Sequence, residues 1–217
     1  MRRVVLGLTG SVAAIRSFEL VDLLERSDSR ARIVATSSAL YFLDPAQVSE
    51  RRGRGDSSFL IDADEWPGAG YRRGDPVGHI ELRRWADVLV VAPLDANTLA
   101  KFALGLSDNL LTCLFRAWDF TKPVVFAPAM NTLMWESPVT RRHLQILLED
   151  RAESTPPADW TFNQVQAVFA RHAPAIVLVP PQSKRLACGD IGTGAMADID
   201  EITQAVVEWR QGVDSEV

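Results

Sequence analysis

The sequence predicts an α/β fold of three layers, a central parallel sheet with helices on both faces, and three observations predict it. Short, almost continuously apolar and β-branched runs recur at 4–8, 31–36, 87–92, 124–127 and 176–179, the pattern of strands covered on both sides. Between them lie stretches whose apolar residues fall on helical spacing. The 217 residues are 47% hydrophobic and 24% charged, which suits one globular domain over 1–217 and excludes a disordered chain.

Taken in order, the first strand enters a glycine-bearing turn. A helix over 12–26 follows, with Ile15, Phe18, Leu20, Leu23 and Leu24 on one face. The third strand leads into a helical stretch, 97–116, apolar at Leu99, Phe102, Ala103, Leu106, Leu110, Leu111 and Leu114 and broken near 105–108. Further helices are expected over 138–149 and 200–211. Two segments interrupt the alternation. Residues 45–78 hold Gly53, Gly55, Pro67, Gly68, Gly70, Gly74 and Pro76 and read as a long active-site loop. Residues 151–175, flanked by Pro156, Pro157 and Pro174, read as a surface insertion carrying one helix.

Composition narrows the function classes. With 23 basic and 28 acidic residues the net charge is −5, which makes no electrostatic case for nucleic acid or an anionic membrane. Two cysteines, Cys113 and Cys188, cannot build a disulfide framework and point to a reducing, cytoplasmic location. Arg2 and Arg3 before an apolar stretch resemble a secretory leader, but Gly7, Thr9, Gly10 and Ser11 interrupt it. A buried strand entering a tight turn accounts for the same residues.

Ligands of parallel sheets bind beyond the carboxyl ends of the strands, so the segments after the strands carry the chemistry. Gly7-Leu8-Thr9-Gly10-Ser11-Val12 places a hydroxyl and free amides at a helix start, a setting for phosphate. It lacks the Gly-x-Gly-x-x-Gly of dinucleotide folds and the P-loop lysine, and Ser11 as an ordinary cap explains it equally. Ala92-Pro93-Leu94-Asp95-Ala96-Asn97-Thr98 follows the third strand, with capping by Asp95 or Asn97 as the plain alternative. Pro128-Ala129-Met130-Asn131-Thr132-Leu133-Met134-Trp135 sets Asn131 among apolar side chains, suited to a flat or carboxylate-bearing ligand or to core packing. Cys188 opens the glycine-rich run Gly189-Asp190-Ile191-Gly192-Thr193-Gly194, where an accessible thiol is a candidate reactive group, while Cys113 reads as structural. His143 and His172 fall in surface helices, which leaves His79, just after the long loop, as the candidate base. These residues point to a phosphate-bearing planar ligand, a base and a thiol, with no metal site, and do not specify a reaction.

Gly10-Ser11-Val12-Ala13-Ala14, His79 within Asp-Pro-Val-Gly-His-Ile-Glu-Leu-Arg-Arg-Trp-Ala-Asp, Ala-Pro-Leu-Asp-Ala-Asn-Thr, Pro-Ala-Met-Asn-Thr-Leu-Met-Trp and Ala-Cys-Gly-Asp-x-Gly-x-Gly-Ala-Met occur in this order. Together they resemble the flavin-dependent cysteine decarboxylase family, over nearly the whole chain apart from 151–175 and the last few residues. The resemblance implies a Rossmann-like or flavodoxin-like fold, FMN as cofactor, a homotrimer with FMN near subunit boundaries, and decarboxylation of 4′-phospho-N-pantothenoylcysteine to 4′-phosphopantetheine in coenzyme A synthesis. It implies that Ser11, Val12 and Ala13 meet the FMN phosphate, and that Gly10, Ser37, Ser38, Asp95, Ala96, Asn97, Thr98 and Ala129 complete the FMN site. Asn131 is expected to hold the substrate carboxylate and Met134 to border it. His79 is expected to serve as base while the substrate thiol is oxidised to a thioaldehyde, and Cys188, on a loop that closes over substrate, as proton donor when the enethiol is reduced. Many relatives carry Ser where this chain has Asp95, a change that fits if Asp95 caps the following helix. The alternatives are a peptidyl-cysteine decarboxylase, against which the Cys188 run argues, a flavin prenyltransferase, and a regulatory subunit of a protein phosphatase.

Overall fold

The apolar runs become the middle of a six-stranded parallel sheet, because their side chains have helices to bury against on both sides. The computed structural model describes residues 1–55, 58–70, 72–185 and 191–209. In chain order the elements are β1 (Arg2–Leu8), a 3₁₀ turn Val12–Arg16 running into α1 (Ser17–Arg26), β2 (Ser29–Ala35), α2 (Ser37–Leu40), α3 (Pro45–Gly53), β3 (Phe59–Ile61) and a 3₁₀ turn Asp62–Asp64. Then come α4 (Gly78–Trp85), β4 (Val88–Leu94), α5 (Ala96–Leu104), α6 (Leu110–Arg116), β5 (Val124–Pro128), α7 (Thr132–Trp135) and α8 (Pro138–Asp150). The chain continues through α9 (Val165–His172), β6 (Ile176–Leu178), the antiparallel pair β7 (Gln182–Arg185) and β8 (Ile191–Ala195), and α10 (Ile199–Glu208).

The strand order is β3-β2-β1-β4-β5-β6, that of the Rossmann fold, whose connections reverse direction between β1 and β4. Successive residues alternate between faces. Val5, Leu89, Val91 and Phe126 join the core under α4, α5, α6, α8 and α9, while Val4, Leu6, Val88, Val90 and Val125 join the core under α1 and α10. Each fully buried aliphatic or aromatic side chain contributes about 1.5–3 kcal/mol. The expected break in 97–116 falls at Gly105, whose φ of 70° ends α5 in the left-handed region where glycine is unstrained; Asn109 and Thr112 then cap α6 reciprocally. No helix among the described residues is long and apolar enough to cross a membrane.

Two segments differ from expectation. Residues 45–78 are not a plain loop: they supply α3, the edge strand β3 paired with β2, and the 3₁₀ turn after it. The segment 151–175 does carry one helix, α9, but it is not a surface appendage. Trp160, Val165 and Phe169 are buried in the core, and Arg141 donates to the Trp160 carbonyl at 2.9 and 3.1 Å. Its prolines bound a covering layer that feeds β6.

Candidate active site

At the β1/β4 reversal the two post-strand loops are bonded to each other. The Thr9 hydroxyl donates to Pro93 O at 2.8 Å and accepts from Asp95 N at 2.7 Å. Asp95 is buried; one carboxylate oxygen accepts from Thr98 N at 2.7 Å and caps α5, and the other accepts from Gly10 N at 3.0 Å. A buried carboxylate is tolerable only with such donors. The aspartate therefore caps the following helix, as required of it, and also fixes the turn after β1. A Cβ on residue 10 would sit 2.7 Å from Ser38 Oγ and 3.0 Å from Asp95 Oδ2, so only glycine closes this corner.

Above the corner lies a cavity of about 460 Å³, within the usual range for small-ligand sites. Gly10, Ser11, Val12 and Ala13 line one end, Asp95 and Ala96 the floor, and Ala129, Asn131 and Met134 a side. Asn131 caps α7, its Oδ1 accepting from Leu133 N at 2.8 Å and Met134 N at 3.4 Å; its NH₂ makes no hydrogen bond among the described residues and is left to a ligand. The antiparallel pair supplies the remaining wall. Met130 N donates to Gly194 O at 2.9 Å, a Cβ on Gly194 would collide with the Met130 carbonyl, and Gly194, Ala195, Met196 and Ala197 face the cavity. A larger hollow of about 860 Å³ at the far edge of the sheet is bordered by Asp200, Glu201 and Glu208, and that charge is unsuited to a phosphate-bearing ligand.

Sequence reasoning missed two cations at this cavity, Arg16 and Lys184. Both lie near Asp198, Lys184 at 2.7 Å and Arg16 at 3.9 Å, and bonds from Lys184 and Gln182, with the Arg16 charge, hold the Asp198 carboxyl below its ordinary range. Arg16 ends the 3₁₀ turn that follows β1, and Lys184 comes from the β7–β8 hairpin. Four expected residues do not line the cavity. Thr98 is buried under the Asp95 cap, Asn97 is exposed, Ser37 bonds Asp62 at 2.8 Å, and Ser38 lies against Thr36 at 3.1 Å and behind Gly10. Cys188 lies outside the described residues.

His79 is not at the cavity either. It stands in the first turn of α4, on the opposite face of the sheet, beside Glu65 and Cys113. Glu65, also missed, has a side chain only 3% exposed; its Oε2 accepts from His79 N at 2.9 Å and its Oε1 meets His79 Nδ1. Its one sequence signal was an acidic run, Asp62-Ala63-Asp64-Glu65, inside a segment rich in charge. Burial pushes the Cys113 thiol up, with Glu65, Asp108 and Asp62 adding to the shift, so it is held as the thiol, donating to Ser107 O at 3.5 Å. Cys113 is thus not core filler as expected. The three residues bring metal-ligating atoms within 4.8 Å of one another, but both Glu65 oxygens are committed to His79.

Comparison with known proteins bears directly on this geometry. The flavoprotein family pattern matches residues 1–211. A phosphopantothenoylcysteine decarboxylase of Arabidopsis thaliana is 48% identical over 196 residues, 90% of this chain and 79% of the relative. A solved cysteine-to-serine variant of PPC decarboxylase, complexed with pantothenoylaminoethenethiol, superposes with a TM-score of 0.74 at 44% identity, covering 99% of each chain. A solved FMN-binding protein superposes with a TM-score of 0.71 at 44% identity, covering 100% of this chain and 98% of its own.

Proposed function

The chain belongs to the flavoprotein family, and from that premise we propose that it binds FMN and converts 4′-phospho-N-pantothenoylcysteine to 4′-phosphopantetheine and CO₂, a step of coenzyme A synthesis. The observation that carries the proposal is the cavity at the β1/β4 reversal. Its residues suit FMN chemically: a polar end made by Ser11, the amides opening the helical run and the cations Arg16 and Lys184, and apolar walls from Phe42, Ala129, Met130 and Met196 for a planar ring.

The substrate needs an electron sink, because a plain amino-acid carboxylate leaves a carbanion with nowhere to delocalise. Bound FMN supplies reversible two-electron chemistry, by which the CH₂–SH group becomes a thioaldehyde before CO₂ leaves and the enethiol is reduced afterwards. The protein's own side chains do the rest. The free NH₂ of Asn131 holds the departing carboxylate by a charge-assisted hydrogen bond. His79 takes the proton released as the thiol is oxidised, and Cys188 returns one to complete the saturated product. The β7–β8 wall excludes water from the reactive intermediate.

His79 and the cavity lie on opposite faces of one sheet, so a single copy does not join them. The proposal therefore includes a homotrimer in which the imidazole of one copy serves the cavity of the next. It extends to a cytoplasmic location, supported by the two-cysteine composition. The deciding experiment measures CO₂ release by the yellow, FMN-loaded protein from phosphopantothenoylcysteine and from a peptide ending in cysteine. Release from the first alone supports the reading; release from the peptide alone makes it a peptidyl-cysteine decarboxylase; release from neither overturns it.

A further inference from the structure

We infer that Glu65 is the positioning residue for His79: its buried carboxylate fixes the orientation of the imidazole and keeps the ring proton on Nδ1, leaving Nε2 as the nitrogen that accepts the substrate's proton. This rests on the reading of His79 as the base.

Three observations carry it. First, Glu65 holds its partner at two points, the backbone amide at the first turn of α4 and the ring nitrogen Nδ1. The backbone and the side chain of His79 are thus set by one group. Second, an ionised carboxylate only accepts hydrogen bonds, so the nitrogen facing it must carry the hydrogen. The same carboxylate is a counter-charge for the imidazolium formed when Nε2 takes a proton. Third, Glu65 is itself locked. The position of a Cβ on Gly78 is 3.0 Å from Glu65 Oε2, so glycine there lets the start of the helix pack closely against the carboxylate. The turn before it is pinned at both acids: Asp62 takes the Ser37 hydroxyl at 2.8 Å, and Asp64 takes Arg52 at 2.7 Å and Ile61 N at 2.7 Å. The segment 45–78 thus acquires a purpose, delivering one carboxylate to one histidine. The neighbouring Cys113, held as the thiol, adds no competing negative charge.

A double-variant cycle on the FMN-loaded protein tests this. Glu65→Gln should lower kcat by roughly 10²-fold, the scale of a misplaced base, with KM and flavin content unchanged. In a His79→Asn background the same change should cost nothing further, because a residue acting only through His79 has nothing left to act on. A full additional loss in the double variant would overturn the inference, and so would wild-type kcat in Glu65→Gln alone. Wild-type turnover of His79→Asn would instead remove the base reading and this inference with it. Should Glu65→Gln fail to fold, ¹⁵N NMR of the imidazole in the unaltered protein decides: a proton on Nδ1 of the neutral ring supports the inference, and a proton on Nε2 refutes it.

Discussion

Among the described residues two carboxylates are buried, Asp95 at the cavity and Glu65 beneath His79, and they face the same physical problem with different outcomes. A buried charge needs donors. Asp95 finds two backbone amides, Gly10 N and Thr98 N, and so ties one strand's exit to the next helix. Glu65 finds one amide and one imidazole, both from His79, and so ties down a group that can gain or lose a proton. One carboxylate builds shape and the other aims chemistry. The first region is a receptacle with no histidine among its described lining residues, its Asp95 oxygens taken up by two backbone amides; the second is a histidine with no receptacle. That division is the physical reason for proposing that neighbouring copies share the work.

The largest expected effect tests the division directly. His79→Asn should lower CO₂ release about 10²–10⁴-fold while the protein stays yellow with an unchanged flavin spectrum, because His79 does not line the cavity. Loss of flavin together with activity would mean that the two regions are one. Asn131→Asp should strike the other side. The cap on α7 survives, since an oxygen still faces Leu133 N, but a second anionic oxygen replaces the NH₂ before the substrate carboxylate. A cost of about 1–3 kcal/mol corresponds to roughly a 5–150-fold rise in KM. Mixed and refolded together, these two impaired variants should recover part of the wild-type rate if the base of one copy serves the cavity of another. Recovery no greater than the sum of the two alone would refute the shared site.

A smaller loss is expected at Asp95. Replacing it with Ala removes the α5 cap, about 1 kcal/mol, and strands the Gly10 amide, about 1–3 kcal/mol. At roughly 2–4 °C of Tm per kcal/mol for a chain of this size, calorimetry should read a fall of several degrees, with weaker FMN retention because the amides at 10–13 lose their brace. Glu65→Gln by contrast should leave flavin retention alone. Equal flavin loss from both variants would erase the distinction between shaping and aiming.

What was readable in advance follows the same line. Part of the cavity was legible because residues 10–13, 95–96 and 129–134 stand in three post-strand segments, each announced by an apolar run before it. The fold class was legible for the same reason. The edge strand β3 was not: Phe59–Ile61 is three residues long, too short for any period, and it stands amid charge and glycine. The core role of Trp160 and Phe169 was hidden by flanking prolines, which mark a change of direction and say nothing of burial. Glu65 was the hardest. A carboxylate in an acidic run looks solvated, and only the pairing of β3 with β2, which carries the turn against α4, buries it. Lys184 was missed because a hairpin brings it to the cavity from a distant part of the chain, and Arg16 because it reads as one more charge on the helical run after the first turn.

The smallest effect concerns the brace behind Glu65. Burial by itself would raise the Asp64 carboxyl, but the Arg52 guanidinium and the Ile61 amide outweigh it and hold Asp64 below its ordinary range. A carboxyl with a depressed folded pKa contributes stability that is complete above its unfolded value, near pH 4, and is lost as the pH falls through the folded value. Arg52→Ala should therefore lower the unfolding free energy at pH 7, read from urea titration, by under about 1 kcal/mol because both partners are near one-third exposed. The gap from the parent protein should narrow as the pH drops below about 4. It should not close entirely, since Arg52 also donates to the Phe59 carbonyl at 3.4 Å, a contact that does not titrate. A gap that stayed constant from pH 7 into the acid range would assign the whole contribution to that carbonyl bond and to packing, and would remove the charge pair from the brace.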